Sequence, residues 1–332
     1  MTSAPLHRSA DASRPPALAE TIPTSAPPEI LSEASRRFLD SSRHRLLKTD
    51  PEGQATPRLE DILGSTEDRI PAQLAFALQQ RIGVDPRPAA ELAVAIEALH
   101  LASRRLTEPS ISNELSRPGA THRGGPTSVP AAIGRIHRGY ALLWGVLGEL
   151  PPTRRRWAAQ EVAGCLGNDG PSGAREPEGG SVQAGGVALS IARRKAVPPI
   201  RLALVLPAIV AGVTTWEHGA LERLAEAWGL ARQALDDLAT VAGLRFSPDL
   251  ESQGPSPEET EAPSSRCSNL AQEMGFEPTL GVVDRQLVTA SEALEDLGEV
   301  GAVVAPFQRH LGQRRLELGA RLESNWRTCA GG

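Results

Sequence analysis

Aromatic residues are scarce: five Trp, five Phe and one Tyr make up 3% of a 332-residue chain. Ala and Leu are abundant instead, a balance that favours helices over sheets. Cysteine is nearly absent. Cys165, Cys267 and Cys329 lie far apart without paired spacing, which leaves no disulfide framework or zinc site and fits a reducing compartment. Positive charge is not in excess. The formal net charge of −5 gives no electrostatic case for nucleic acid. Long apolar runs are also missing. The longest, Leu202 to Val213, falls short of the ~20 residues that span a bilayer, so no transmembrane segment is expected. The N-terminus is polar and Pro-rich rather than basic then apolar, so no secretory signal is read and a cytoplasmic location is expected. No strand-like alternation and no fixed-length repeat is found.

What is present is helical periodicity over an apolar fraction of 40%, enough for a sizeable core. Residues 1–27, rich in Ala, Ser, Pro and Thr, read as a disordered tail. Helices are expected over 28–48, 70–82, 88–106, 129–150, 153–166, 187–195, 198–213, 221–243, 281–297 and 303–323, with a short turn or helix over 59–64. Pro207 should kink the 198–213 helix or mark its boundary. Gly-rich 167–186 and Pro-rich 247–268 read as flexible loops. The fold class is all-α: a single-domain bundle of about ten helices over 28–326.

The stretch around which the chain is organised is Leu221 to Gly243. Leu221, Leu224, Trp228, Ala231, Leu235 and Leu238 form an apolar stripe. The opposite side carries Glu226, Gly229, Gln233, Asp236, Asp237 and Thr240. Gln233, Asp236 and Thr240 project from neighbouring turns of one face. Adjacent carboxylates of this kind either hold a hard, oxygen-loving cation or form a solvated acidic edge.

Gln233-x-x-Asp236-Asp237 resembles the second aspartate-rich motif of the trans-isoprenyl diphosphate synthases (polyprenyl synthetases), with Thr240 where the family has a further Asp. Ala95 to Ser103, AIEALHLAS, is similar to the segment preceding the family's first aspartate-rich motif. His122 to Gly134, HRGGPTSVPAAIG, is similar to its Arg-Arg-Gly-x-Pro-Thr segment. Lys195, followed by PPIRLALVLPAIVAG, matches the Lys before its buried helix. The likeness runs in consistent order from about residue 64 to 255. It implies an isoprenoid-synthase-like fold acting on isoprenyl diphosphates. It also implies diphosphate contacts from His100, Arg123, Lys195 and Gln233, and magnesium (Mg2+) on Asp236 and Asp237. By residue chemistry alone, His100 is equally a helix-surface His, and Arg123 an ordinary exposed loop cation.

The departures fall on the chemistry. Where the first motif needs three aspartates, this chain has Thr107, Glu108 and Ile111, with Pro109 among them. The family's Gly-Gly-Lys-x-x-Arg-Pro cradle corresponds to Gly64-Ser65-Thr66-Glu67-Asp68-Arg69-Ile70-Pro71, which lacks the Lys and gains two acids. An allylic diphosphate is ionised by magnesium ions bridging its oxygens to carboxylates, so no catalytic residue is assigned. Three functions follow. The first is a catalytically impaired homologue acting as a non-catalytic or regulatory partner of an active prenyl diphosphate synthase, as a heteromer or a homo-oligomer. The second is an active prenyltransferase or terpene cyclase using Asp236, Asp237 and Glu226. The third is a helical scaffold with fold-level likeness only.

Overall fold

The computed structural model describes residues 29–48, 69–107, 129–167, 184–242 and 269–330. Among these there is no strand, and ten helices follow one another: α1 Glu33–Lys48, α2 Ile70–Arg81, α3 Pro86–Thr107, α4 Val129–Gly148, α5 Pro152–Leu166, α6 Ala184–Ala211, α7 Thr215–Val241, α8 Leu270–Met274, α9 Phe276–Leu297 and α10 Glu299–Ala330. The expected tail over 1–27, the short element over 59–64, and most of the loops over 167–186 and 247–268 lie outside the described residues. No helix among the described residues is long and apolar enough to cross a membrane.

The all-α architecture is as the periodicity predicts, with differences in how the helices are divided, among them the short, unexpected α8. The separate helices expected over 187–195 and 198–213 are one continuous helix, α6, which runs through Pro198, Pro199 and Pro207. A proline inside a helix forfeits a backbone bond. Here Ile200, Leu202 to Leu206, Ala208 and Ile209 are all buried, and this burial outweighs the break. The central helix starts six residues earlier than Leu221. Thr214 and Glu217 form a capping box: Glu217 N–H donates to Thr214 Oγ1 at 3.3 Å, and Thr214 N–H donates to Glu217 Oε2 at 2.9 Å. The last two helices likewise start earlier, α9 at Phe276 after Gly275 at φ +87° and α10 at Glu299 after Gly298.

The core forms one cluster of side chains contributed by nearly every helix, and α7 lies inside it, packed chiefly on α9 and α6. Its expected polar side is divided: Glu226, Asp236 and Thr240 remain partly exposed, while Gly229 and Asp237 are buried. At Gly229 an added Cβ would sit 2.8 Å from the Val197 Cα and 2.9 Å from the Ala196 carbonyl oxygen of α6, so the two backbones are in near contact. On the other flank, Trp228 is fully buried, meets Phe307 of α10 edge-on at 5.1 Å between ring centres and donates its indole N–H to Gln308. Gln308 in turn donates to the Leu287 carbonyl of α9 at 2.8 Å. One amide thus ties three helices together.

The N-terminal helix is fixed differently. Arg43 of α1 is 1% exposed and donates from Nε and Nη2 to Glu97 Oε2 of α3, at 2.8 and 2.6 Å. Burial pushes the Glu97 carboxyl above the usual carboxylate range, opposed by the Arg43 charge.

Two stability outcomes follow from this packing. Gly229→Ala forces a methyl onto rigid backbone and should cost about 1–3 kcal/mol. Gly145→Ala on the exposed side of α4, where a Cβ meets nothing within 4 Å, should instead gain about 0.5–1 kcal/mol. Urea melts of the two variants check the opposite signs. Arg43→Met leaves a buried carboxylate without its counter-charge and should lower stability by roughly 3–5 kcal/mol in the same melts.

Candidate functional site

The C-terminal half of α7 is joined by polar side chains to α8 and α10, with α6 packed on the same helix. The central motif is the residue run Arg232-Gln233-x-x-Asp236-Asp237. Its i, i+4 spacing places Arg232 on Asp236 and Gln233 on Asp237. Gln233 Nε2 donates to Asp237 Oδ1 at 2.8 Å. The backbone N–H of Leu270, the first residue of α8, donates to Asp237 Oδ2 at 2.7 Å. Asn269 closes the same joint: its side-chain oxygen caps the N–H groups of Ala271 and Gln272, and its Nδ2 donates to the Asp237 carbonyl at 3.3 Å. Asp237 is therefore a buried helix-terminus anchor, 7% exposed.

Asp236 is engaged from another direction. Arg314 of α10, itself buried, donates from Nη2 to Asp236 Oδ1 at 2.8 Å. Arg232 Nη1 stands 3.9 Å from Asp236 Oδ2. Thr240, in place of the family's further aspartate, turns its hydroxyl back to the Asp236 carbonyl at 2.8 Å, a local bond that uses its one donor.

Burial controls the ionisation of the groups around this pair. Desolvation raises the Asp237 carboxyl to about 6, with Asp236 adding to the rise while the Leu270 N–H, Gln233 and Lys195 oppose it. His100 of α3 is 5% exposed and is held down to about 3 by burial and by the charge of Arg232. It is neutral at physiological pH and brings one N–H and one lone pair. His310 of α10 is held down to about 4 by burial and by Arg314, against the pull of Asp236.

The structure thus brings Gln233, Asp236 and Asp237 together on α7, puts Lys195 of α6 within the field of Asp237, and sets His100 within the field of Arg232. Arg123, Glu108 and Ile111 lie outside the described residues. Arg232, Asn269, His310 and Arg314 were not singled out by the sequence reading. A signal existed for Arg232, which adjoins the motif and stands four residues before Asp236. For His310 and Arg314 the only cue is their place beside Phe307, Leu311 and Leu318 in a buried helical stripe.

Magnesium demands near-ideal octahedral oxygen coordination. Each oxygen of Asp237 already accepts a protein N–H, and Asp236 sits between two guanidinium groups. A further dication there would be placed against fixed positive charge. The donor set does not fit Mg2+, and no chemical step is derived through it.

No protein-family model matches the sequence, and no curated protein matches it either. Solved structures do match in three dimensions. They include an FPP/GFPP synthase from Zymomonas mobilis (TM-score 0.61, 18% identity, 84% of this chain and 96% of that chain). A geranyltranstransferase from Thermotoga maritima aligns over 86% of this chain and 99% of its own, at TM-score 0.57 and 18% identity. An isoprenoid synthase family member from Thermotoga neapolitana gives 0.59 and 19% over 84% and 99%. The chain shares the all-α isoprenoid-synthase fold, as its order of motifs implies.

The raised Asp237 carboxyl carries a pH signature. Folding takes up its proton, because the native value of about 6 lies above the ordinary 3.8. The contribution is fully present below the ordinary value and is lost as pH rises through the native one. The stability of the wild type relative to Asp237→Asn should therefore fall between about pH 4 and about pH 6, read by urea melts across that range.

Proposed function

We propose that the chain is a polyprenyl-synthetase-like protein that does not ionise an allylic diphosphate by itself and serves as a non-catalytic or regulatory partner of an active prenyl diphosphate synthase. The observation that carries this reading is the state of the two aspartates. Asp236 is bound by Arg314 and Asp237 by the Leu270 N–H, so both carboxylates hold helices together where a working second motif would present oxygens to metal-bound diphosphate. Thr107, Glu108 and Ile111 at the three positions of the first motif support it from the sequence. Ionisation needs positive charge clamped on the leaving diphosphate by carboxylate-held metal, and neither motif supplies the ligands.

The same fold with binding groups retained and the metal ligands diverted suits a subunit that binds diphosphate or shapes a partner rather than one that turns substrate over. His100, Lys195 and Gln233 remain in place as diphosphate contacts in this proposal, with Arg123 from the segment before α4.

The test is magnesium-dependent diphosphate release from geranyl, farnesyl and geranylgeranyl diphosphates by the purified chain, with and without isopentenyl diphosphate. The expected result is no release above buffer with any substrate, together with co-purification of an active synthase from the native host. Turnover that disappears in Asp236→Ala would replace this reading with a magnesium-dependent prenyltransferase or cyclase.

A further inference from the structure

Among the described residues, three tryptophans stay out of the core. Trp144 is 49% exposed, Trp157 38% and Trp216 62%, although Trp is highly buried on average. They belong to the segments where α4 gives way to α5 and α6 gives way to α7, and contacts tie these segments into one end of the bundle. Arg155 Nη2 donates to the Gly148 and Leu150 carbonyls at 2.6 and 3.0 Å, closing the last turn of α4, which begins near Trp144. Arg154 Nη1 donates to the Val210 carbonyl at 3.2 Å. Its guanidinium lies over the turn into α7, where a Cβ at Gly212 would sit 2.6 Å from Nη2. Trp157 meets the ring of buried His218 with 4.6 Å between centres, and Trp216 precedes that histidine by two residues.

Charge at this end runs against that of the chain. Segments 144–157 and 210–218 hold Arg154, Arg155 and Arg156 against Glu149 and Glu217, and Glu217 is occupied in the capping box of α7. The balance is positive in a chain of net charge −5. Arg155 and Arg156 are exposed beside Trp157. Exposed aromatic surface with a charged rim marks an interaction face, and its sign is complementary to a negative surface. A second copy of the chain suits it poorly, because a two-fold contact would set the same arginines against each other. A bilayer with anionic lipids suits both parts. Indole rings settle at the headgroup level with their N–H groups wet, and arginines beside them meet lipid phosphates.

We propose that this end of the bundle docks peripherally on a membrane bearing anionic lipids, with Trp157 and Trp216 in the headgroup layer and Arg156 on the lipid phosphates. Trp216 lies in the first turn of α7 and Asp236 near its other end, about 30 Å further along the same helix. The aspartate pair is therefore carried on the side away from the bilayer. Docking here neither requires nor excludes the partner role proposed above.

The test is co-sedimentation of the full chain with vesicles of phosphatidylcholine alone and of an equal mixture of phosphatidylcholine and phosphatidylglycerol. Sedimentation with the mixed vesicles only is expected, and it declines as salt is raised. Trp216→Ala should weaken it roughly tenfold or more, and Arg156→Gln about fivefold. Leu316→Ala removes an apolar side chain of α10 that is 67% exposed and should leave binding unchanged. Thermal melts confirm that the variants are folded. Light scattering on the same samples reads the other occupant: a dimer that Trp216→Ala converts to monomer assigns the face to a second copy and overturns the proposal. Equal sedimentation with both vesicles, sedimentation with neither, wild-type binding by folded Trp216→Ala, or an equal loss in Leu316→Ala overturns it as well.

Discussion

A buried carboxylate has to be neutralised or hydrogen-bonded on every side, and this requirement, met at Asp237, governs the end of α7, with Asp236 beside it half-buried. Asp236 and Asp237 are adjacent in sequence and point to different neighbours. One is held by a buried arginine from α10 and the other by the first backbone N–H of α8 and by Gln233. Through these bonds the central helix is joined to α8 and α10, both beyond the segment 243–268. The position of α8 depends on them, and so does the inward turn of Arg314. The pair therefore acts as a structural joint before any ligand is considered.

The same logic organises the opposite wall. Glu97 and His100 stand one helical turn apart on α3 and face different partners. Glu97 receives Arg43 and fastens α1 to α3, while His100 lies buried in the field of Arg232 on α7. The absence of a side chain at Gly229 lets α7 approach the Ala196–Val197 backbone, which brings Lys195 near Asp237. The site is an outcome of three close packings, α3 on α1, α7 on α6 and α10 on α7, rather than of one motif.

These packings bear on function because fold alone does not fix chemistry. The chain shares the three-dimensional plan of solved prenyl synthases at under one residue in five identical, and that plan is compatible with many uses of the same cavity walls. In this chain Arg314 and Arg232 stand beside Asp236, and the Leu270 N–H and Gln233 hold Asp237; the proposed partner role rests on that arrangement.

The sequence by itself determined the all-α fold, the helix order and the run Gln233 to Asp237, because helical periodicity and the capping or breaking residues are local properties carried by side-chain shape and backbone geometry. It also held, in Thr214-x-x-Glu217, the earlier start of α7. Only the tertiary structure decided that α6 passes unbroken through three prolines, since burial around them, from Ile200 to Ile209, outweighs local propensity. It also decided that Asp236 answers to an arginine 78 positions away. Periodicity reports which side of a helix a residue occupies and not what faces it. The difference between a metal ligand, a solvated edge and a buried joint lies in the facing side chains, and those come from segments that no local pattern connects.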